Sequence, residues 1–206
     1  MTAVRRHAAR LAAAAATAWV LLGVDSVLRP GEHDERDVWW VAPWLLTAAA
    51  LTGLHLRQRR PDRRGERLSF RLVIAAMAAV FLGQVGVVLD VAALKVLGFP
   101  LGALLWLAAL VPFGVATVRA RVVPRRAGIA LALLEIGSIL TGVVLAPVAG
   151  LAERGAYSGA LEKGLVLALL AAGLRESSRR RVPAAVRAAE EVAAPDVRTS
   201  EAEVVG

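Results

Sequence analysis

Residues 57–67 read RQRRPDRRGER, with Arg57 at one end and Arg67 at the other: six arginines in eleven residues, with long apolar runs on both sides. Such a stretch is a surface for a polyanion or a turn that resists crossing a membrane, and the flanking sequence decides between them. Of the 206 residues, 57% are hydrophobic, against roughly 45–50% in an ordinary soluble domain. The distribution says more than the total. Charges fall in a few short clusters, and apolar residues fall in runs of about twenty, the length a helix needs at 1.5 Å per residue to cross a hydrocarbon core of roughly 30 Å.

Six such runs are predicted, at about 8–28, 38–56, 68–90, 99–118, 127–149 and 155–174. They are too long and too continuously apolar for the alternating strands of a barrel, so each is expected to be a helix. The fold class is therefore all-α, a polytopic transmembrane helical bundle of six spans. Residues 91–97 carry Lys95 and read as interfacial, with Gly98 and Pro100 breaking the chain before the fourth helix. The first run has a basic start (Arg5, Arg6, Arg10). Its exit, GVDSVLRPG, lacks a small-x-small cleavage site, so it reads as an uncleaved helix.

Lys and Arg alternate between the connections. The N-terminus has three (Arg5, Arg6 and Arg10), two lie in RPGEHDERD against four acids, and six lie in 57–67. Lys95 is alone in the third connection, four arginines lie in 119–126, Arg154 is alone in the fifth, and Arg175, Arg179, Arg180 and Arg181 follow the sixth. This is the positive-inside pattern, and it expects an even number of spans with both termini cytoplasmic in a plasma membrane. RQRRPDRRGER is then a topology determinant, with anionic lipid headgroups as its natural neighbours. Nucleic acid is not expected as a partner, because no aromatic residues interleave with the arginines. The net charge of +8 follows from the same loops. Trp39, Trp40 and Trp44, with Phe99 and Tyr157, read as an interfacial belt. Trp19 and Trp106 read as packing residues.

Ionisable residues inside apolar runs are expensive, about 2.5–3.5 kcal/mol each near a helix centre. Glu135 is the clearest case. Heptad steps put Gly128, Glu135, Gly142 and Ala149 in one line with Ser138 beside it, a small and polar stripe that expects to face the bundle. Two readings stay open: a proton or cation site, or a buried Glu hydrogen-bonded across helices. Glu162 and Lys163 are adjacent, point about 100° apart, and each needs a partner elsewhere. Gly155, Gly159, Glu162, Val166, Leu169 and Gly173 share a face that opens with a small-xxx-small pair. Ala76, Ala79, Gly83, Gly86 and Asp90 share another, with Gln84 next to them. Asp25, Gln84, Asp90, Lys95, Glu162 and Lys163 are expected at similar depth, as a solute vestibule or as charges that set helix ends.

No cofactor and no metal site is expected. There are no cysteines, His33 lies in a short acidic loop, and His7 and His55 read as interfacial. Ser158 in GAYSG has no histidine after it to serve as a base. Residues 175–206 read as a cytoplasmic tail, largely disordered apart from a short surface helix beginning near Pro183.

Residues 114–133, GVATVRARVVPRRAGIALAL, end a helix in small residues, turn through arginines and V-V-P-R, and re-enter at A-G. This resembles a turn in uncharacterised multi-pass integral membrane proteins of actinobacteria, a likeness extending over most of 38–174. The resemblance implies a helical bundle in a bacterial inner membrane and carries no catalytic residue. The functional expectation is a non-catalytic membrane component or accessory subunit, with a protein partner or a homo-oligomer. A small-solute or ion-coupled transporter using Glu135 is the alternative.

Overall fold

A computed structural model describes residues 3–29, 34–58, 64–145, 147 and 159–193, with backbone alone beyond Ser178. His33, Tyr157, Ser158, Arg154, the tip of the 57–67 turn and residues 194–206 lie outside it. Among the described residues the regular structure is all helix, with no strand. The helices are α1 (Ala3–Leu28), α2 (Asp34–Trp39), α3 (Val41–Gln58), α4 (Arg64–Val88), α5 (Ala92–Val96), α6 (Ala103–Ala120), α7 (Arg125–Leu145) and α8 (Ala160–Ala193). Among the described residues three stretches are long and apolar enough to cross a membrane: α1, α4 and the kinked segment Ala92–Ala120.

The expected break before the fourth helix is present. Phe99 leaves helical geometry (φ −136°, ψ 106°) inside the wide-turn segment Leu97–Gly102 that joins α5 to α6. The chain reverses at Asp90, whose φ is 55°. Residues 92–102 then fold back along α4. Gly83 and Gly98 meet there backbone to backbone, with no room for a Cβ on either. α8 departs from expectation at its far end. It does not stop near Leu174 but continues through Pro183 to Ala193, so the start of the tail is helical.

Packing follows the small residues. α1 lies against α3 and α8; α6 lies between α4 and α7; and α7 closes on α8. Ala8, Ala12 and Ala15 are completely buried, and a Cβ on Gly53 would come within 2.6 Å of the Ala8 methyl. Close backbone approach of this kind lets dispersion act over long contact lengths where the surroundings offer no hydrophobic drive.

The arginine-rich connections gather at one end. Arg57 donates from Nε to the Arg5 carbonyl (3.0 Å), and from its terminal nitrogens to the Arg6 carbonyl (3.3 Å), the Leu174 carbonyl (3.3 Å) and Ser178 Oγ (3.1 Å). His55 Nδ1 lies 2.5 Å from Glu66 Oε1 and joins the end of α3 to the start of α4, while its ring stacks on Phe70. His55, at the end of α3, is thus buried within the protein. Gly173 of α8 packs on Pro124 of the α6–α7 turn.

Candidate functional site

The opposite, arginine-poor end holds a cavity of about 500 Å³. Its walls are aromatic: Trp40, Trp44, Trp106 and Phe99. Its charged and polar lining is Asp37, Gln84, Lys95, Glu135 and Lys163.

The tryptophan cluster that forms most of this wall draws on the start of α3 and on α6, with Trp19 of α1 behind it. Trp40, immediately ahead of α3 and accepting from the Trp44 backbone N–H (3.2 Å), stands at i with Trp44 at i+4 and Thr47 at i+7, so the three share one side. Trp40 and Trp44 stack at 4.7 Å between centroids. Trp19 of α1 meets both edge-on, and Trp44 reaches Trp106 of α6 at 5.2 Å. Each buried indole N–H in this cluster with a described bond has found an oxygen. Trp19 Nε1 donates to Thr47 Oγ1 (2.9 Å), Trp44 Nε1 to the Met77 carbonyl (3.0 Å), and Trp106 Nε1 to Glu135 Oε2 (2.9 Å). Only Trp39 of the three clustered tryptophans faces outward; Trp40 and Trp44 are buried among neighbouring helices. Packing against Trp19 and Trp106 accounts for that burial.

The charged floor is an ion pair between helices. Lys163 Nζ of α8 lies 3.2 Å from Glu135 Oε2 of α7, with side chains 17% and 14% exposed. The same ammonium sits 5.6 Å from the Trp19 ring centroid, within cation–π range. Glu135 thus has a cation and an indole N–H on one oxygen. The cost of burying it is offset by a partner 28 residues away in sequence, one that no spacing rule within a helix identifies.

The seven residues singled out in the sequence fall into three groups. Glu135, Lys163 and Gln84 line the cavity; the Gln84 amide donates to the Asp37 carbonyl at 3.4 Å. Ser138 and Glu162 sit behind it in the α7–α8 contact. Ser138 Oγ donates to the Gly159 carbonyl at 3.4 Å, and the Glu162 carboxylate packs against Gly137 with Oε2 buried and without a hydrogen-bond partner. Asp25 and Asp90 lie outside. Asp25 accepts from Arg29 (2.8 Å) and from the completely buried Arg36 (2.7 Å), and so ties α2 to the end of α1. The side chain of Asp90 is 91% exposed and pairs with Lys95. The single polar layer expected from depth alone is therefore split, because the left-handed turn at Asp90 swings its carboxylate outward and Arg36 holds Asp25 away.

Arg36, Asp37 and the tryptophan cage were not identified as site residues from sequence. The Trp40–Trp44–Thr47 spacing is the signal that marks the cage. Arg36 carries no signal beyond being an arginine in an acidic loop.

The cavity offers one carboxylate and one ammonium already facing each other, with a second of each, Asp37 and Lys95, among its lining residues. A cavity of this size, largely apolar with a few convergent polar groups, is of the kind that takes a small molecule. The chain matches no model of a known protein family, no curated protein and no solved structure.

Proposed function

We propose that the protein is a six-span component of a bacterial plasma membrane, with both termini cytoplasmic. In this reading it binds a small zwitterionic solute, one carrying both an ammonium and a carboxylate group, in the cavity around Glu135 and Lys163. The gathering of the arginine-rich connections at one end supports the topology, since positive-inside orientation then turns the cavity outward. α3, α7 and α8 supply three further helices beside the three longest apolar ones. At 18 residues, α3 is the shortest of them, about 27 Å long.

The observation that carries the solute reading is the Glu135–Lys163 pair at 3.2 Å inside an aromatic cavity. A zwitterion exchanges one internal ion pair for two, its carboxylate on Lys163 and its ammonium on Glu135 over the indole faces. A simple cation or anion leaves one of the two protein charges without a partner, which disfavours it. Solute binding of this kind suits a carrier better than a packing subunit.

The test is intrinsic tryptophan fluorescence of the protein in nanodiscs, titrated with glycine, proline and trimethylglycine, and with tetramethylammonium and acetate as single-charge controls. The reading expects saturable change with at least one zwitterion and a loss of about tenfold or more in affinity in Glu135→Gln, one charged hydrogen bond being worth roughly 1.5–3 kcal/mol. Equal response to the single-charge controls, or no response to any zwitterion, counts against it.

An accessory-subunit role is the second reading, and α8 is the observation that favours it. At 34 residues it is about 51 Å long, well beyond a hydrocarbon core of roughly 30 Å, so its Arg175–Ala193 part extends from the arginine-rich end as a docking element. Native mass spectrometry of gently extracted protein tests this through a stoichiometric second chain.

A further inference from the structure

At the arginine-rich end an open groove of about 1200 Å³ runs over α6 between the start of α4 and the start of α7. We propose that this groove is a binding site for one anionic phospholipid, with its phosphate among Arg64, Arg119, Arg121 and Arg125 and an acyl chain along Val111, Val115 and Val118. The proposal rests on the membrane reading above and is independent of the cavity at the other end.

The groove exists because of how three helices meet. α6 packs against α4 on one side and α7 on the other, and α4 and α7 do not pack extensively on each other, which leaves a strip of α6 uncovered. Val111, Val115 and Arg119 follow at i, i+4 and i+8 on that strip, a rise of about 12 Å from apolar wall to charged rim. Val111, Pro112 and Val115 are exposed along it. At the rim α6 ends on Arg121 in the left-handed conformation (φ 55°), which turns the chain sharply and sets Arg119 and Arg121 near Arg125.

Charge complementarity names the occupant. All four arginines are exposed, and among the described residues none is in an ion pair with a carboxylate. The one acid lining the groove, Glu66, is buried and directed to His55. The first turn of α7 adds an independent reason. It begins Arg125-Arg126 and holds no acid, so two cations sit at the positive end of a helix dipole. A phosphate at that end relieves both the dipole and the mutual repulsion of the guanidiniums, and arginine matches phosphate with paired N–H donors. The apolar wall selects a lipid over a free phosphate, since Val111 and Val115 then cover a methylene chain.

The experiment uses the full chain in mild detergent, with native mass spectrometry and added phosphatidylglycerol or phosphatidylcholine of identical acyl chains. The expected result is a retained single phosphatidylglycerol and no retained phosphatidylcholine. The variant R119Q/R121Q/R125Q should lose roughly 100-fold in phosphatidylglycerol affinity, at about a factor of five per arginine. A second variant, Val111→Trp with Val115→Trp, fills the groove and keeps every charge, so its topology and fold signals are unaffected by lost arginines; it should also lose the lipid. Three outcomes overturn the proposal: phosphatidylcholine held as well as phosphatidylglycerol, full binding in the groove-filled variant, or displacement of the lipid by millimolar glycerol phosphate, which would make the site one for free phosphate. Failure of the zwitterion titration leaves each of these outcomes unchanged.

Discussion

Removing Lys163 is the most informative single perturbation. Its ammonium is the cation facing Glu135 at 3.2 Å, and it lies within electrostatic reach of Glu162 as well. Lys163→Met preserves much of the side chain's length and apolar stem while deleting the charge. Two carboxylates are then left in a mostly buried contact, with Trp106 Nε1 as the described donor to Glu135. Breaking a buried ion pair by removing one partner costs about 3–5 kcal/mol, and the residual exposure here places the expected loss near the lower end, about 3 kcal/mol. Glu135→Gln should cost less, about 2 kcal/mol, because a glutamine still accepts from Trp106 and the flexible Lys163 can turn toward Glu162. The double variant, Glu135→Gln with Lys163→Met, removes both charges and should lie within about 1 kcal/mol of the parent. The assay is reversible denaturation of purified protein in mixed micelles, followed by circular dichroism, with the coupling energy taken from the four-member cycle. Losses that simply add in the double variant would show that the two side chains do not act as a pair, and the account of the cavity floor would fail.

Other perturbations probe other parts of the account. Arg36→Met should destabilise by about 2 kcal/mol, because the Asp25 and Arg29 carbonyls lose their donor while the Asp25 carboxylate keeps Arg29, and Asp25→Asn should recover little of that in the same unfolding assay. Gly83→Val puts a branched side chain into the Gly98 backbone, so a loss of about 3 kcal/mol or failure to accumulate in the membrane is expected, against little effect for Gly65→Ala, which meets nothing. Trp106→Phe removes the indole donor to Glu135 and should weaken zwitterion affinity about fivefold in a fluorescence titration, with a stability change of about 1 kcal/mol.

What the sequence makes legible is set by range. Helix class and the break at Gly98–Pro100 are short-range properties, carried by run length and by residues that cannot continue a helix. Small-residue faces are legible as faces but not as pairs: Gly83 and Gly86 mark a packing side of α4, and nothing in their spacing names Gly98 and Leu94 as what they pack on. The site divides in the same way. The expense of burying Glu135 and Lys163 is readable from each position. Their pairing is a tertiary fact, fixed by how α7 and α8 pack. Asp25 and Asp90 fall at the right depth, yet depth carries no azimuth, and Arg36 and a left-handed turn send them elsewhere. For Trp40 and Trp44 a place at the start of α3 is legible, but not the ring partners Trp19 and Trp106, which are tertiary.

The central claim is an outward cavity in a chain whose arginine-rich end lies inside. The chain contains no cysteine, so single-cysteine variants report without background. Lys95→Cys sits at the cavity and Arg121→Cys at the lipid groove, at opposite ends. Treated in intact cells with a membrane-impermeant maleimide, Lys95→Cys should be labelled at once and Arg121→Cys only after the membrane is permeabilised. Labelling of Arg121→Cys in intact cells, with Lys95→Cys protected, would contradict the account.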